Sequence, residues 1–159
     1  MKQDRFLLIL LAAVTVLVGV AIILFFLRRG GQNYGAEDSP TGIVRNYVLA
    51  IQKGDYERAY AYLADDQNRP NYESFQNDLL GLRQEFGNIS VQVGETEQTG
   101  QKALVALTVI HSASSPFADV WRDNTSAILT QDAQGVWKIA RMPYPIWGPG
   151  WYPVKAPNP

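Results

Sequence analysis

The chain has 159 residues, no cysteine, one histidine and a net charge of −1. Lack of cysteine excludes disulfides, haem attachment through Cys, iron–sulfur ligation and a lipid-modified N-terminal Cys. A near-neutral charge leaves no basic face for nucleic acid.

Residues 6–27, FLLILLAAVTVLVGVAIILFFL, carry no charge. As an α-helix this run would rise about 33 Å at ~1.5 Å per residue, matching a hydrocarbon core of about 30 Å. A cleaved signal peptide would have a shorter apolar region, about 7–15 residues, and a small-x-small site after it. Here Arg28-Arg29-Gly30-Gly31-Gln32 follows instead. A buried core helix would show a polar stripe, yet Thr15 is the sole hydroxyl of the run. The run therefore reads as a retained transmembrane helix that holds the chain to the lipid bilayer. Lys2 and Arg5 nearly balance Arg28 and Arg29 across it, and long domains cross membranes largely regardless of charge. The expected topology is single-pass, with residues 1–5 as a cytoplasmic tip and the domain on the extracytoplasmic side. Residues 28–39, with three glycines and almost nothing apolar, read as a flexible linker.

The remainder, about 130 residues, is room for one domain. Asp38 or Ser39 caps a first helix that starts at Pro40. Ile43, Tyr47 and Ile51, with Val44 and Val48 beside them, form its apolar face, and Gly54 ends it. Asp55 caps a shorter helix with Tyr56, Ala59, Tyr60 and Leu63 inward. Asp65-Asp66-Gln67-Asn68-Arg69-Pro70 breaks it. Asn71 caps a third helix, residues 72–86, striped by Tyr72, Phe75, Leu79, Leu82 and Phe86. Gly81 weakens its interior by about 1 kcal/mol relative to Ala and marks a close helix–sheet approach; Gly87 stops it.

From there the period changes from 3.6 to 2. Ile89, Val91 and Val93 alternate with polar residues. After the Thr99-Gly100 turn, residues 102–112 (KALVALTVIHS) are apolar on both faces and belong in the centre of a sheet. Residues 113–119 read as a loop, 120–131 as a third strand, 132–135 as a tight turn and 136–142 as a fourth strand, all joined antiparallel. Two glycosylation sequons, at Asn88 and Asn124, fall in or beside these strands and read as chance matches. Residues 143–159, PYPIWGPGWYPVKAPNP, contain six prolines among 17 residues, so they form an extended tail. Its tryptophans and tyrosines require a surface to lie against, either the chain's own sheet or a neighbouring subunit; the aromatic belt of the membrane is a third place.

The expected fold class is α+β: one transmembrane helix, then three helices and a curved four-stranded antiparallel sheet, then the tail. Val44-Arg45-Asn46-Tyr47-Val48-Leu49-Ala50-Ile51, followed by Gly54-Asp55-Tyr56-Glu57-Arg58-Ala59-Tyr60, resembles the opening of nuclear-transport-factor-two-like domains. Gly135-Val136-Trp137-Lys138-Ile139 resembles their closing strand. The resemblance covers residues 40–142 and is nearest to small, membrane-tethered, exported bacterial members. It implies a cone-shaped fold that hosts isomerases, dehydratases, ligand binders and interaction modules. It also implies that catalysis, where present, uses an Asp–Tyr or Asp–His pair lining the cone.

The residues offer little for such chemistry. His111 and Asp123 could pair across two strands, with His111 as base, but a His at a strand end packs and meets water more often than it catalyses. Tyr60, with Tyr56 and Tyr62 within seven residues, could line a pocket mouth, but core packing with the hydroxyls exposed is the default for such rings. Tyr60, His111 and Asp123 are the cavity candidates. One His and no Cys leave only oxygen ligands for a metal, and Asp65, Asp66 and Asn68 lack calcium-loop spacing. Gly30 to Gly35 lacks the strand and the Lys-Ser/Thr of a phosphate loop. No catalytic, cofactor or metal residue is therefore expected, and the chain reads as not an enzyme. The expected function is a non-catalytic accessory subunit of a larger membrane complex, such as one of electron transport, docking through Tyr144, Trp147, Trp151 and Tyr152. The alternative is a membrane-tethered domain that binds or transforms a small apolar ligand in the cone cavity.

Overall fold

A computed structural model of the chain describes residues 3–28, 33–66, 69–112 and 120–151, and the side chains of all but 3–6 and 25–28 among them. Residues 29–32 of the linker, Gln67 and Asn68, the loop at 113–119 and the end of the tail from Tyr152 lie outside the described residues. The chain divides into two compact units, Met1–Asn33 and Tyr34–Pro159.

The first unit is α1, Gln3–Arg28. Its Leu7–Leu24 window has a mean hydropathy of 3.2 and no part of it is buried. The helix is long and apolar enough to cross a membrane. The Thr15 hydroxyl donates to the Leu11 carbonyl at 2.8 Å, so this one polar side chain of the window is satisfied within the helix, as a lipid environment requires.

The second unit begins with α2, Pro40–Lys53. Ser39 accepts the Gly42 N–H as its cap, and Gly54, at φ 73°, closes it in the left-handed conformation. Helix α3, Tyr56–Ala61, is capped by Asp55, and α4, Tyr72–Gly81, by Asn71. The expected third helix is broken: α4 ends at Gly81, Leu82 turns at ψ −1°, and α5 is the short turn Arg83–Phe86. The break falls at the weakest helix former of the segment. Nothing lies within 4 Å of where a Gly81 Cβ would stand, so the expected close helix–sheet approach is absent there.

Four strands follow: β1 Ile89–Thr99, β2 Lys102–His111, β3 Trp121–Gln131 and β4 Trp137–Arg141, paired antiparallel in the order β1-β2-β3-β4. Gly100 (φ 60°) and Gly135 (φ 79°) supply the left-handed residues of two hairpin turns, and Asp132 Oδ1 accepts the N–H groups of Gln134 and Val136. Register shifts between Val93 and Thr96 and between Ile128 and Leu129 curve the sheet. Strand β2 holds an inner position as expected, but it is not buried on both sides. Ala103, Val105, Leu107 and Val109 face the core, whereas Leu104 on the outer face is 45% exposed. Among the described residues no second layer covers that face, so the strand shows one-sided alternation.

The helices cover the inner face, and Tyr47, Phe75 and Leu79 pack with Leu107, Leu129 and Ile139. The free edge of β4 is closed by the chain itself: Ala64 N–H donates to the Ile139 carbonyl and Ile139 N–H to the Tyr62 carbonyl, both at 2.8 Å.

The described part of the tail folds into this core. Trp151 stacks on Phe75 (4.9 Å, 26°) and meets Trp147 edge-on (5.0 Å, 69°). Its indole N–H donates to Asp78 at 2.7 Å, and the Tyr47 hydroxyl donates to the Ile146 carbonyl at 2.9 Å. Trp147 and Trp151 are each 7% exposed. An aromatic ring buries about 150–250 Å², which at ~25 cal/mol per Å² makes each indole worth about 4–6 kcal/mol as an upper estimate. Trp151→Ala is expected to lower unfolding stability by about 3–5 kcal/mol, whereas Tyr144→Ala, at a 60% exposed ring, is expected to change it by less than about 1 kcal/mol. Denaturant melts followed by near-UV circular dichroism measure both.

Candidate functional site

The three cavity candidates do not converge. The Tyr60 ring lies edge-on to Tyr72 (5.4 Å) and Phe75 (5.2 Å), with the Arg69 guanidinium 4.0 Å above it. Its hydroxyl donates to the Pro70 carbonyl at 2.8 Å. Tyr60 thus ties α3 to the start of α4. His111 stands opposite Trp121 in the ladder and stacks on it (4.8 Å, 23°). Asp123 stands opposite Val109, two residues along, and is exposed. The two share a face, but no hydrogen bond joins them among the described residues; the indole takes the place expected for the carboxylate.

Of the docking candidates, Trp147 and Trp151 are inside the domain, and Tyr152 lies outside the described residues. Tyr144 is at the surface and donates its hydroxyl to the Glu85 carboxylate. That bond, more than burial, raises the Tyr144 pKa.

Beside the buried indoles an open groove of about 500 Å³ remains, lined by Thr125, Ser126, Arg141, Tyr144, Trp147 and Trp151 among others. It exists because β4 is short. Arg141 pairs with Ile128, so the first half of β3 has no β4 residue beside it, and the tail turns away over the core. Three hydroxyls, of Thr125, Ser126 and Tyr144, and one guanidinium, the one charged side chain of the lining, surround the edges of two largely buried indoles, so the open surface is mixed polar and apolar. Such a groove suits a small ligand with an apolar body and a hydrogen-bonding or anionic group, and its volume is in the usual range of about 300–1,000 Å³.

A second cleft, of about 420 Å³, is lined by Glu37, Asp55, Arg58, Tyr62 and Lys138 among others. Composition gave no sign of it, because residues 28–39 read as a spacer. Residues 34–39 are instead strapped to the domain. Asn46, fully buried, accepts the Gly35 N–H (2.8 Å) and donates to the Gly35 carbonyl (3.0 Å). A Cβ at Gly42 would collide with the Ala36 carbonyl oxygen, so only glycine lets the strap lie so close to α2. Tyr34 donates to Asp55 at 2.8 Å, with the Arg58 guanidinium 3.6 Å from its ring centre. Glu37 accepts from the Tyr62 hydroxyl (2.7 Å) and from Arg58 (2.6 Å), and Arg58 Nε donates to the Tyr62 hydroxyl (2.9 Å). A tyrosine and a glutamate in an otherwise Gly-rich spacer were the available signal.

These contacts move the titrations. The hydrogen bond from Tyr62, then that from Arg58, hold Glu37 below the usual carboxylate range. Burial, then the bond to Asp55, push Tyr34 up to about 12. Burial first raises Tyr62 as well, and its hydroxyl, with Glu37, raises Arg58. Perturbed groups in a cleft mark candidate sites. Here the hydrogen-bond partners behind these shifts all lie in the strap or in α3 and its caps, so the network reads first as a fastening.

No protein-family model matches the sequence, and no curated protein matches it. Among solved structures, a proposed ketosteroid isomerase from Shewanella frigidimarina aligns at a TM-score of 0.50 and 19% identity, over 66% of this chain and 94% of that one. A SEC-C motif containing protein from Rhodopseudomonas palustris aligns at 0.49 and 14%, over 67% and 79%. A proposed NTF2-like transpeptidase from Campylobacter jejuni aligns at 0.46 and 11%, over 65% and 99%.

The fold is the nuclear-transport-factor-two-like cone.

The helix order, the curved sheet and the first of these likenesses agree with the resemblance carried by residues 40–142. They also correct one expectation. The chain read as not an enzyme because no catalytic constellation was visible, but the same architecture is that of a proposed ketosteroid isomerase, so this cone gives no ground for excluding catalysis. The interior of this nuclear-transport-factor-two-like domain is largely filled. The gap among Val48, Phe86, Ile89, Val91 and Ile146 holds only about 10 Å³, too little for more than a single water. Open volume lies at the surface, in the groove beside Trp147 and Trp151 and in clefts such as that at Glu37 and Arg58.

The strap sets a pH dependence. Glu37 has a depressed pKa in the folded state, so its stabilisation is present above the ordinary carboxylate range and lost as pH falls through and below it. Tyr34 has a raised one, so its stabilisation is present below the ordinary value near 10 and lost as pH rises towards about 12. Stability is expected to be flat between these limits. Tyrosinate absorbance should show a titration near pH 12 that Tyr34→Phe removes, and the same variant should flatten the alkaline fall of the melting temperature.

Proposed function

We propose that this chain is a membrane-tethered nuclear-transport-factor-two-like domain that binds a small ligand with both an apolar and a hydrogen-bonding or anionic part in the groove formed by β3 and the tail. The observation that carries the ligand reading is the roughly 500 Å³ groove itself, with its three hydroxyls and its single cation, Arg141, beside the edges of two indoles. The tether is supported by α1, whose apolar window is wholly uncovered by protein. In water that surface would be unfavourable by about 25 cal/mol per Å²; in a bilayer it is matched. The length of the run, and flanks unlike those of a signal peptide, support retention of the helix. The N-terminus is then cytoplasmic and the domain extracytoplasmic.

A second reading is docking onto other subunits of a membrane complex. The observation favouring it is Tyr144, exposed at the groove rim and held in place by Glu85. A large exposed aromatic in a fixed orientation is a common interface anchor. A small ligand and a partner's side chain would use the same groove.

Two measurements test these readings. Protease added to intact spheroplasts is expected to remove the domain and spare α1; a domain cleaved only after lysis would reverse the topology. For the ligand, calorimetric titration of nanodisc-held protein with a medium-chain carboxylate, less the signal of empty discs, should show saturable binding. Ser126→Trp should abolish it with the melting temperature unchanged. Arg141→Ala should weaken the carboxylate about tenfold, near 1.4 kcal/mol, and leave the matching neutral alcohol unaffected. Equal binding by the Ser126→Trp variant would remove the groove from consideration, and co-purification of a partner lost in Tyr144→Ala would favour docking.

A further inference from the structure

Three of the four tryptophans are buried: Trp137 is 6% exposed, and Trp147 and Trp151 are 7%. Trp121 is 64% exposed, and Val120 just before it is 50% exposed. This is the largest ring that the described surface of the domain leaves in water, and it sits at one end of the sheet, at the start of β3. It is held there. His111 faces it across the ladder, and the two rings stack at 4.8 Å and 23°. An indole fixed in an exposed position is a built feature, since free rotation would let it fold down over neighbouring apolar surface.

The chemistry of the patch suits one occupant. An indole has an apolar body and one N–H, a combination favoured at the boundary between hydrocarbon and water. Val120 extends the apolar surface. Arg122, next in sequence, points to the opposite face of β3, and the exposed charge on the Trp121 face is Asp123. The contact is therefore one of the ring and Val120 with uncharged headgroup-region surface rather than a pairing with lipid phosphate. The chain also carries α1, uncovered and apolar over Leu7–Leu24. A tether converts a second contact into an intramolecular one, with an effective concentration on the order of mM for short flexible linkers. A contact of one indole and one Val, too weak to recruit a free protein to a membrane, is then enough to orient a tethered one.

We infer that Val120 and Trp121 form an interfacial membrane contact, by which this end of the sheet rests in the headgroup region of the bilayer that α1 spans. The inference rests on the tethered reading. It gives Trp121 a role that the groove does not use, and it assigns the His111 ring to holding Trp121 upright rather than to acid–base chemistry.

The test uses the full chain in phosphatidylcholine nanodiscs, with and without lipid brominated in the upper part of its acyl chains. Co-flotation with vesicles that survives alkaline carbonate is checked first; if it fails, the tether fails, before the contact has been probed. Given incorporation, brominated lipid is expected to quench most of the Trp121 share of the emission, and aqueous acrylamide to quench little of it. Trp121→Phe should abolish the lipid-dependent loss while the near-UV circular dichroism of the three buried indoles stays unchanged. Trp121 open to acrylamide and untouched by brominated lipid would overturn the proposal, as would lipid quenching that persists in Trp121→Phe. A ring shielded from both quenchers, covered by a second copy or by the chain itself, would overturn it equally.

Discussion

Trp151 lies on the ring of Phe75, against the edge of Trp147, with its N–H on Asp78, and much of the domain depends on that placement. Phe75 and Asp78 belong to α4, whose buried side is only Phe75 and Leu79. A helix with so narrow a buried stripe has little hold on a sheet by itself. The tail supplies the missing surface. Being rich in proline, it cannot complete a ladder, so it contributes rings in place of backbone bonds. Two glycines make this possible. A Cβ at Gly148 would run into the Trp151 ring, and Gly150 has a φ of 82°, a region that side chains avoid.

The other flank of the domain is fastened by polar contacts. Asn46 is the one buried polar side chain of the described core, and both ends of its amide are used on the Gly35 peptide, so it carries no unpaired group. The Tyr34–Asp55 and Glu37–Arg58–Tyr62 bonds lie nearer the surface, where each is worth less. Both flanks thus close over the domain, one by apolar burial and one by hydrogen bonds. Apart from the polar cleft at Glu37 and Arg58, whose groups are occupied with one another, the groove beside the tail and the end of the sheet at Trp121 stay open. A cone fold by itself names no chemistry, so the reading of function rests on those two surfaces and on α1.

The helix caps were legible because each is a contact between near neighbours in sequence. Ser39 with Gly42, Asn71 with Ser74, and Gly54 with Ala50 and Ile51 are all within four residues. The turns at Gly100 and Gly135 are equally local, and the apolar periods place Tyr47, Phe75, Val105 and Leu129 in the core without knowledge of what they touch. The candidate site was far less legible. His111 and Asp123 were sensible partners by residue type, but a pairing across two strands depends on register, and register set His111 against Trp121 instead. The strap was hidden because a Gly-rich segment has no period to betray it.

By itself, then, the sequence determined the apolar helix, the order of helices and strands, the inward face of each, and the cone resemblance. These follow from local propensity and from the repeat of apolar positions, which a single segment contains in full. Tertiary structure decided the rest: the break of the third helix at Gly81, the bare outer face of β2 at Leu104, the choice of the chain's own core for Trp147 and Trp151, and the fastening of Tyr34 and Glu37. Each of these turns on whether a second surface, distant in sequence, arrives to cover a group or leaves it to water, and no segment carries that information alone.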